Sequence, residues 1–221
     1  MYRYKETQMK LVLITNPYNL KYETDRINLM FNEGLEELHI RKPRCEKEVM
    51  KKFISEIDPK FHHKLVLHGN YSLVNTFDIH KIHLSHDWIF NFATNLYLNQ
   101  VILGGKKISK STTLVTCSSL YKPMAGINEL ILGPVFTRYS ANINNQLIKT
   151  EDLEKALRHS KLPVIGLGGV YPQTLEFFEN AGFKGVAMQS SIWKSMDPVK
   201  TFVEMRDRNN ASIGQQLRIA V

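Results

Sequence analysis

Pro163-Val-Ile-Gly-Leu-Gly-Gly169 is a short apolar run that closes on two glycines, and Gly185-Val-Ala-Met-Gln-Ser-Ser-Ile-Trp193 is a second that runs into two serines. Between them, residues 172–182 have helical spacing. Leu175, Phe178 and Ala181 fall on one side, and Gly182 stands where a helix end tolerates positive φ. Strand, helix, strand is the unit of a parallel sheet. Working outward, further apolar runs at 11–15, 37–40, 64–68, 81–84, 114–117 and 129–132 read as strands. Residues 24–34, 46–57 and 150–160 read as helices. The third and fifth helices look short, and 99–112 carries too much Lys, Gly and Ser for a clear helix. Eight such units in 221 residues predict a closed (β/α)8 TIM barrel, an α/β fold in a single domain. An open doubly wound sheet usually shows a Gly-rich turn after its first strand, and Asn16-Pro-Tyr-Asn19 stands there instead. We expect an extension at 1–9, a barrel over 10–207 and a tail at 208–221.

Composition narrows the partners. The net charge of +8 favours anions, but the basic residues are scattered and form no nucleic-acid arm. No apolar stretch has the length of a membrane span, and the first ten residues contain no secretory core. Cys45 and Cys117 lie far apart, in no metal-ligand spacing. A cytoplasmic protein without nucleic-acid or membrane partners is expected, acting on small phosphorylated molecules. Self-association is left open.

Sites in such barrels lie at the C-terminal strand ends. There Gly168-Gly169 and Ser190-Ser191 would present backbone amides and hydroxyls at the start of a helix, a cradle for a phosphate dianion. The plainer alternative is a tight turn and an N-cap. In Glu37-Leu-His-Ile-Arg41, alternation puts Glu37, His39 and Arg41 on one face, pointing inward. A buried Arg41 there would need an anion or an internal acid; the residues alone leave both open. His39, His68, His83 and His86 end strands and suit acid–base work or, with Asp87, a metal, although His83-x-x-His86-Asp87 is no standard ligand spacing. Arg138 and Ser140 lie in a polar loop after the sixth strand, and Thr116 lies beside the fifth. Each suits either anion contact or an ordinary surface or capping role.

Gly133-Pro-Val-Phe136, Pro163–Gly169 and Val186–Trp193, with Leu38-His-Ile-Arg41, Lys64-Leu-Val-Leu67 and Ile82-His-Leu84, resemble the thiamine phosphate synthase/TenI family over about residues 10–194. The resemblance implies a barrel and one of two activities. A synthase joins hydroxymethylpyrimidine pyrophosphate to a thiazole phosphate, with Mg2+ and basic residues stabilising departing pyrophosphate. A TenI-type relative moves a proton on the thiazole with a histidine. It also implies thiazole-phosphate contacts at Gly168, Gly169, Ser190 and Ser191, pyrophosphate contacts at Arg41, Arg138 and Ser140, and Mg2+ at Asp87. Against the family pattern, Pro43 replaces a pyrophosphate lysine, His68-Gly69 replaces an Asn-Asp pair, and Ala141 replaces a lysine. Thr116 matches a serine, Ser118 replaces a histidine, and Pro134 stands where the tautomerase has its histidine. We expect a divergent synthase. The alternatives are a TenI-like isomerase using His39 or His68, and a non-catalytic phosphate-metabolite binder.

Overall fold

Lys10–Ile14 (β1), Glu37–Ile40 (β2), Leu65–Leu67 (β3), Lys81–Leu84 (β4), Ser109–Leu114 (β5), Glu129–Leu132 (β6), Val164–Leu167 (β7) and Gly185–Met188 (β8) pair in chain order. In the computed structural model every pair is parallel, and β8 closes back onto β1 through Lys10↔Gly185 to Leu13↔Met188. The fold is the closed (β/α)8 barrel that the alternation predicts. The structure describes residues 8–84, 92–98, 100, 109–121, 126–136 and 147–219.

Alternation splits each strand between two cores. Leu11, Leu13, Leu38 and Ile40 face outward and pack under helix residues such as Ile27, Met30 and Ile54 in one large cluster. Helix α1 (Glu23–Asn32) supplies Ile27, Met30 and Phe31 at the three- and four-residue spacing that lines one helix face. The barrel interior is a separate, smaller apolar cluster of Val12, Ile14, Ile131, Ile165 and Ala187, with Leu167 packed against it. These come only from β1, β6, β7 and β8. The interior of β2, β4 and β5 carries polar side chains instead: His39, His83 and Ser111 are all buried, and β3 adds buried Val66 beside them.

That division explains the main departure from the sequence reading. The fifth strand was expected at 114–117 because it was sought as an apolar run; it lies at Ser109–Leu114, registered Lys81↔Ser109 to Leu84↔Thr112. Its Ser-Lys-Ser-Thr-Thr sequence suits a wall whose inner side is polar, and Ser111 and Thr112 are both buried with hydrogen-bond partners. Thr116 consequently sits in the following turn, before a 3-10 turn at Cys117–Tyr121. Another 3-10 turn, at Tyr71–Asn75, follows β3. The final helix, Pro198–Ile219, continues through residue 208, and buried Asn209 donates to the Met9 carbonyl at 2.8 Å.

Candidate functional site

One half of the mouth is built where β6, β7 and β8 end. Gly168 and Gly169 have φ of 94° and 68°, a region in which a side chain is strained. Sterics also require them: a Cβ on Gly169 would drive into Phe136, and one on Gly168 would come within 2.8 Å of Pro134. The β6 loop therefore lies directly on the β7 loop, and the Val135 amide donates to the Leu167 carbonyl at 2.8 Å. Thr174 ties the glycine loop to the next helix by donating to the Gly169 carbonyl (2.7 Å) while accepting from the Tyr171 amide (2.9 Å). Ser190 and Ser191 open the short helix Ser190–Trp193 directly after β8, both half-buried. Gln189 and Trp193 fix that segment by donating to the carbonyls of Thr15 (3.0 Å) and Ile14 (2.7 Å) at the end of β1. The four residues expected to hold phosphate thus lie on two neighbouring, well-anchored strand ends.

The other half of the mouth carries imidazoles. His39, on β2, is fully buried; one ring nitrogen meets Glu37 at 2.8 Å and the other meets His68 at 2.9 Å. His68 follows β3 and stacks on His83 of β4, with centroids 4.1 Å apart and planes 17° apart. His83 in turn meets the hydroxyls of Ser111 and Thr113, each at 3.0 Å. Burial above all, with the positive charge of Arg41 acting in the same direction, holds both His68 and His83 well below the ordinary imidazole range. Their rings are therefore neutral at pH 7.

Arg41 departs from expectation. It is exposed at the mouth rather than buried, and its guanidinium has no hydrogen-bond or ion-pair partner among the described residues. Lys42 takes the buried position instead. Its ammonium is 2.5 Å from the Glu23 carboxylate, donates to the Tyr18 carbonyl at 2.9 Å, and lies over the Phe53 ring. Burial raises the Glu23 carboxyl against the pull of Lys42. Lys42 is thus committed to structure and is not available to an anionic substrate.

Beneath the imidazoles lies a feature the sequence reading missed. Lys10, Glu37, Lys81 and Glu129 close the floor of the barrel, with each lysine contacting both carboxylates at 2.5–3.0 Å. Burial pushes the Glu37 carboxyl up, but His39, Lys81 and Lys10 outweigh it and hold it far below the carboxylate range. Burial likewise works against the Lys10 ammonium, and Glu37 and Glu129 overcome it. The signal was present: all four are the first residues of otherwise largely apolar strands. Asp87, Arg138 and Ser140 lie outside the described residues. Cys45 and Cys117 are free, and burial raises both thiols, so neither is an activated nucleophile.

A closed parallel barrel with two glycines and two serines at the ends of its last two strands and an exposed arginine just past its second is of the (β/α)8 class, whose sites lie at the C-terminal strand ends. The chain belongs to the thiamine monophosphate synthase family, whose profile matches residues 11–192. It is 22% identical over 177 residues to the thiamine-phosphate synthase of Lactococcus lactis subsp. lactis (strain IL1403), covering 77% of this chain and 80% of that one. A shorter match, to the thiamine-phosphate synthase of Lactococcus lactis subsp. cremoris (strain SK11), is 27% identical over 104 residues and spans 47% of this chain and 45% of that protein. Among solved structures, thiamine phosphate pyrophosphorylase from Bacteroides thetaiotaomicron superposes with a TM-score of 0.74 at 20% identity, covering 91% of this chain and 98% of that one.

Proposed function

We propose that the chain is a thiamine-phosphate synthase, a transferase that couples hydroxymethylpyrimidine pyrophosphate to a thiazole phosphate and releases pyrophosphate. The observation that carries this reading is the family match over residues 11–192, joined to a β6–β7–β8 mouth whose glycines are held in the conformation an anion cradle needs. In the reaction, the bond between the pyrimidine methylene carbon and the diphosphate oxygen breaks with its electron pair going to pyrophosphate. The thiazole nitrogen then supplies the pair for the new C–N bond. The protein's work is positioning and charge stabilisation. Gly168, Gly169, Ser190 and Ser191 hold the thiazole phosphate. Arg41, exposed and unpaired among the described residues, takes the diphosphate, with Arg138 and Ser140 proposed beside it and Thr116 at the rim. His68, half-buried, faces the substrate from the polar wall, and fully buried His39 lies behind it.

Mg2+ is proposed at Asp87, where it would neutralise charge on the departing diphosphate. The described residues do not themselves fit a hard, oxygen-seeking ion: the two carboxylates on the barrel floor, Glu37 and Glu129, are both occupied by lysines, and the polar wall above offers nitrogen. Among the described residues no helix is long and apolar enough to cross a membrane, and a cytoplasmic location suits the two free cysteines.

The test is product formation by purified protein given both substrates, with and without added Mg2+. Thiamine phosphate and pyrophosphate in equal amounts support the synthase. Tight thiazole-phosphate binding without coupling would sink it in favour of a proton-transferring TenI-like relative or a binding protein.

A further inference from the structure

Three imidazoles on adjacent strands are more than a phosphate-binding barrel requires, and their arrangement is specific. The β3–β4 register, Val66↔Lys81 and Leu67↔Ile82, carried one residue further sets His68 across from His83, which accounts for the stacked rings. The β2–β3 register pairs His39 with Val66, so His39 lies two positions below and reaches up to His68. One ring nitrogen from each of the three lies within 4.8 Å of the others.

We propose that His39, His68 and His83 form a tris-imidazole site for one divalent transition-metal ion of the zinc class, with Glu37 as the carboxylate that orients His39. Four observations support it. The Glu37 carboxylate can only accept, so the His39 nitrogen facing it carries the proton and its other nitrogen presents a lone pair toward His68 at 2.9 Å. A carboxylate behind a ligating imidazole is the arrangement metal sites use to fix the tautomer. Second, zinc at about 2.0–2.1 Å from each nitrogen needs donors roughly 3.3 Å apart, so the His39–His68 pair has to open by a few tenths of an ångström and the stacked His83 ring has to turn its nitrogen toward them. Third, among the described residues the two ring nitrogens of His83 face only the hydroxyls of Ser111 and Thr113, and a hydroxyl that donates to the unprotonated nitrogen can turn away and yield its place to a metal. Fourth, the floor brings no charge against a cation, since Lys10 and Lys81 are matched by Glu37 and Glu129. Of the three rings, only His68 is half-buried; His39 and His83 are buried, so the open coordination position faces the His68 side. Water or an oxygen of a bound phosphorylated molecule would fill it.

The alternative grouping of Glu37, His39 and Glu129 does not serve, because both carboxylates are already neutralised by lysines. Imidazole donors select Zn2+, Co2+ or Ni2+ over Mg2+. The tris-imidazole site therefore stands apart from the Mg2+ assigned to Asp87, and it does not depend on the synthase reading.

The experiment uses the full chain stripped with chelator and titrated with Co2+, then Zn2+, following visible absorption and retained metal after gel filtration. One ion per chain is expected, with the ligand-field bands of a low-coordinate nitrogen site and displacement of Co2+ by Zn2+. His68→Gln should weaken binding at least about tenfold, whereas His63→Gln, at an exposed position, should leave it unchanged. Imidazole 15N shifts of the wild-type chain on adding Zn2+ give a readout that requires no core variant to fold. Shifts in the rings of His39, His68 and His83 support the site. Failure to retain an ion, or metal-induced shifts confined to exposed histidines, overturns it.

Discussion

Tyr71 donates its hydroxyl to the His83 carbonyl at 2.8 Å from a buried position, and burial pushes its phenol up to about 12 from the ordinary 10. Between those values the folded chain holds a proton that the unfolded chain has released. Its contribution is therefore whole below about pH 10 and is lost as pH rises toward 12, by roughly 2–3 kcal/mol. Denaturant midpoints of wild type and Tyr71→Phe across that range should converge as pH rises. At neutral pH the variant should be about 1–3 kcal/mol less stable, since the carbonyl loses its donor. A constant gap across the range would show that the phenol does not titrate with folding. Single residues were also where the sequence was least legible. Alternation put Glu37 and His39 inside the barrel, and they are there. It could not show that Arg41, one pleat further, is past the end of the strand and exposed, while Lys42 turns in to meet Glu23. That exchange depends on where the strand stops and on a partner distant in sequence.

Between elements, the decisive contact is the β6 loop on the β7 loop, and glycine chemistry separates packing from strain. Gly182 ends the helix Leu175–Ala181 at φ 98° with open space where a Cβ would go. Gly182→Ala should therefore cost about 1–2 kcal/mol through backbone strain alone and leave thiazole-phosphate affinity unchanged. Gly169→Ala carries comparable strain and also forces Phe136 away, so it should lower the melting temperature further and weaken thiazole phosphate by at least about tenfold. Calorimetric titration of the two folded variants checks the pair; equal affinities would separate the glycine loop from the phosphate. Elements with apolar runs were read to within a residue or two, because outward-facing Leu and Ile mark a strand whatever lies inside. β5 was misplaced because its buried positions include Ser111 and Thr112, and a polar wall leaves no apolar period to find.

At the scale of the molecule the barrel is stratified and lopsided. An ion network closes its floor, apolar side chains fill β1 and β6–β8, and imidazoles line β2–β4. The eight-unit count was legible because the outer core repeats along the chain; the floor was not, because its four charges come from β1, β2, β4 and β6 and meet only on closure. This makes the floor a test of how closure is held. The lysines are 26% and 13% exposed and the carboxylates about a tenth, so solvent screens Lys10 more than Lys81. Removing Lys81 strands buried charge on Glu37 and Glu129, and Lys81→Met should destabilise by about 3–5 kcal/mol in denaturant unfolding. Adding Glu129→Leu restores the balance, with Lys10 left to Glu37, so the double variant should be more stable than Lys81→Met alone. If the two losses simply add, the network's charges act independently, and closure rests on the strand ladder and the outer core.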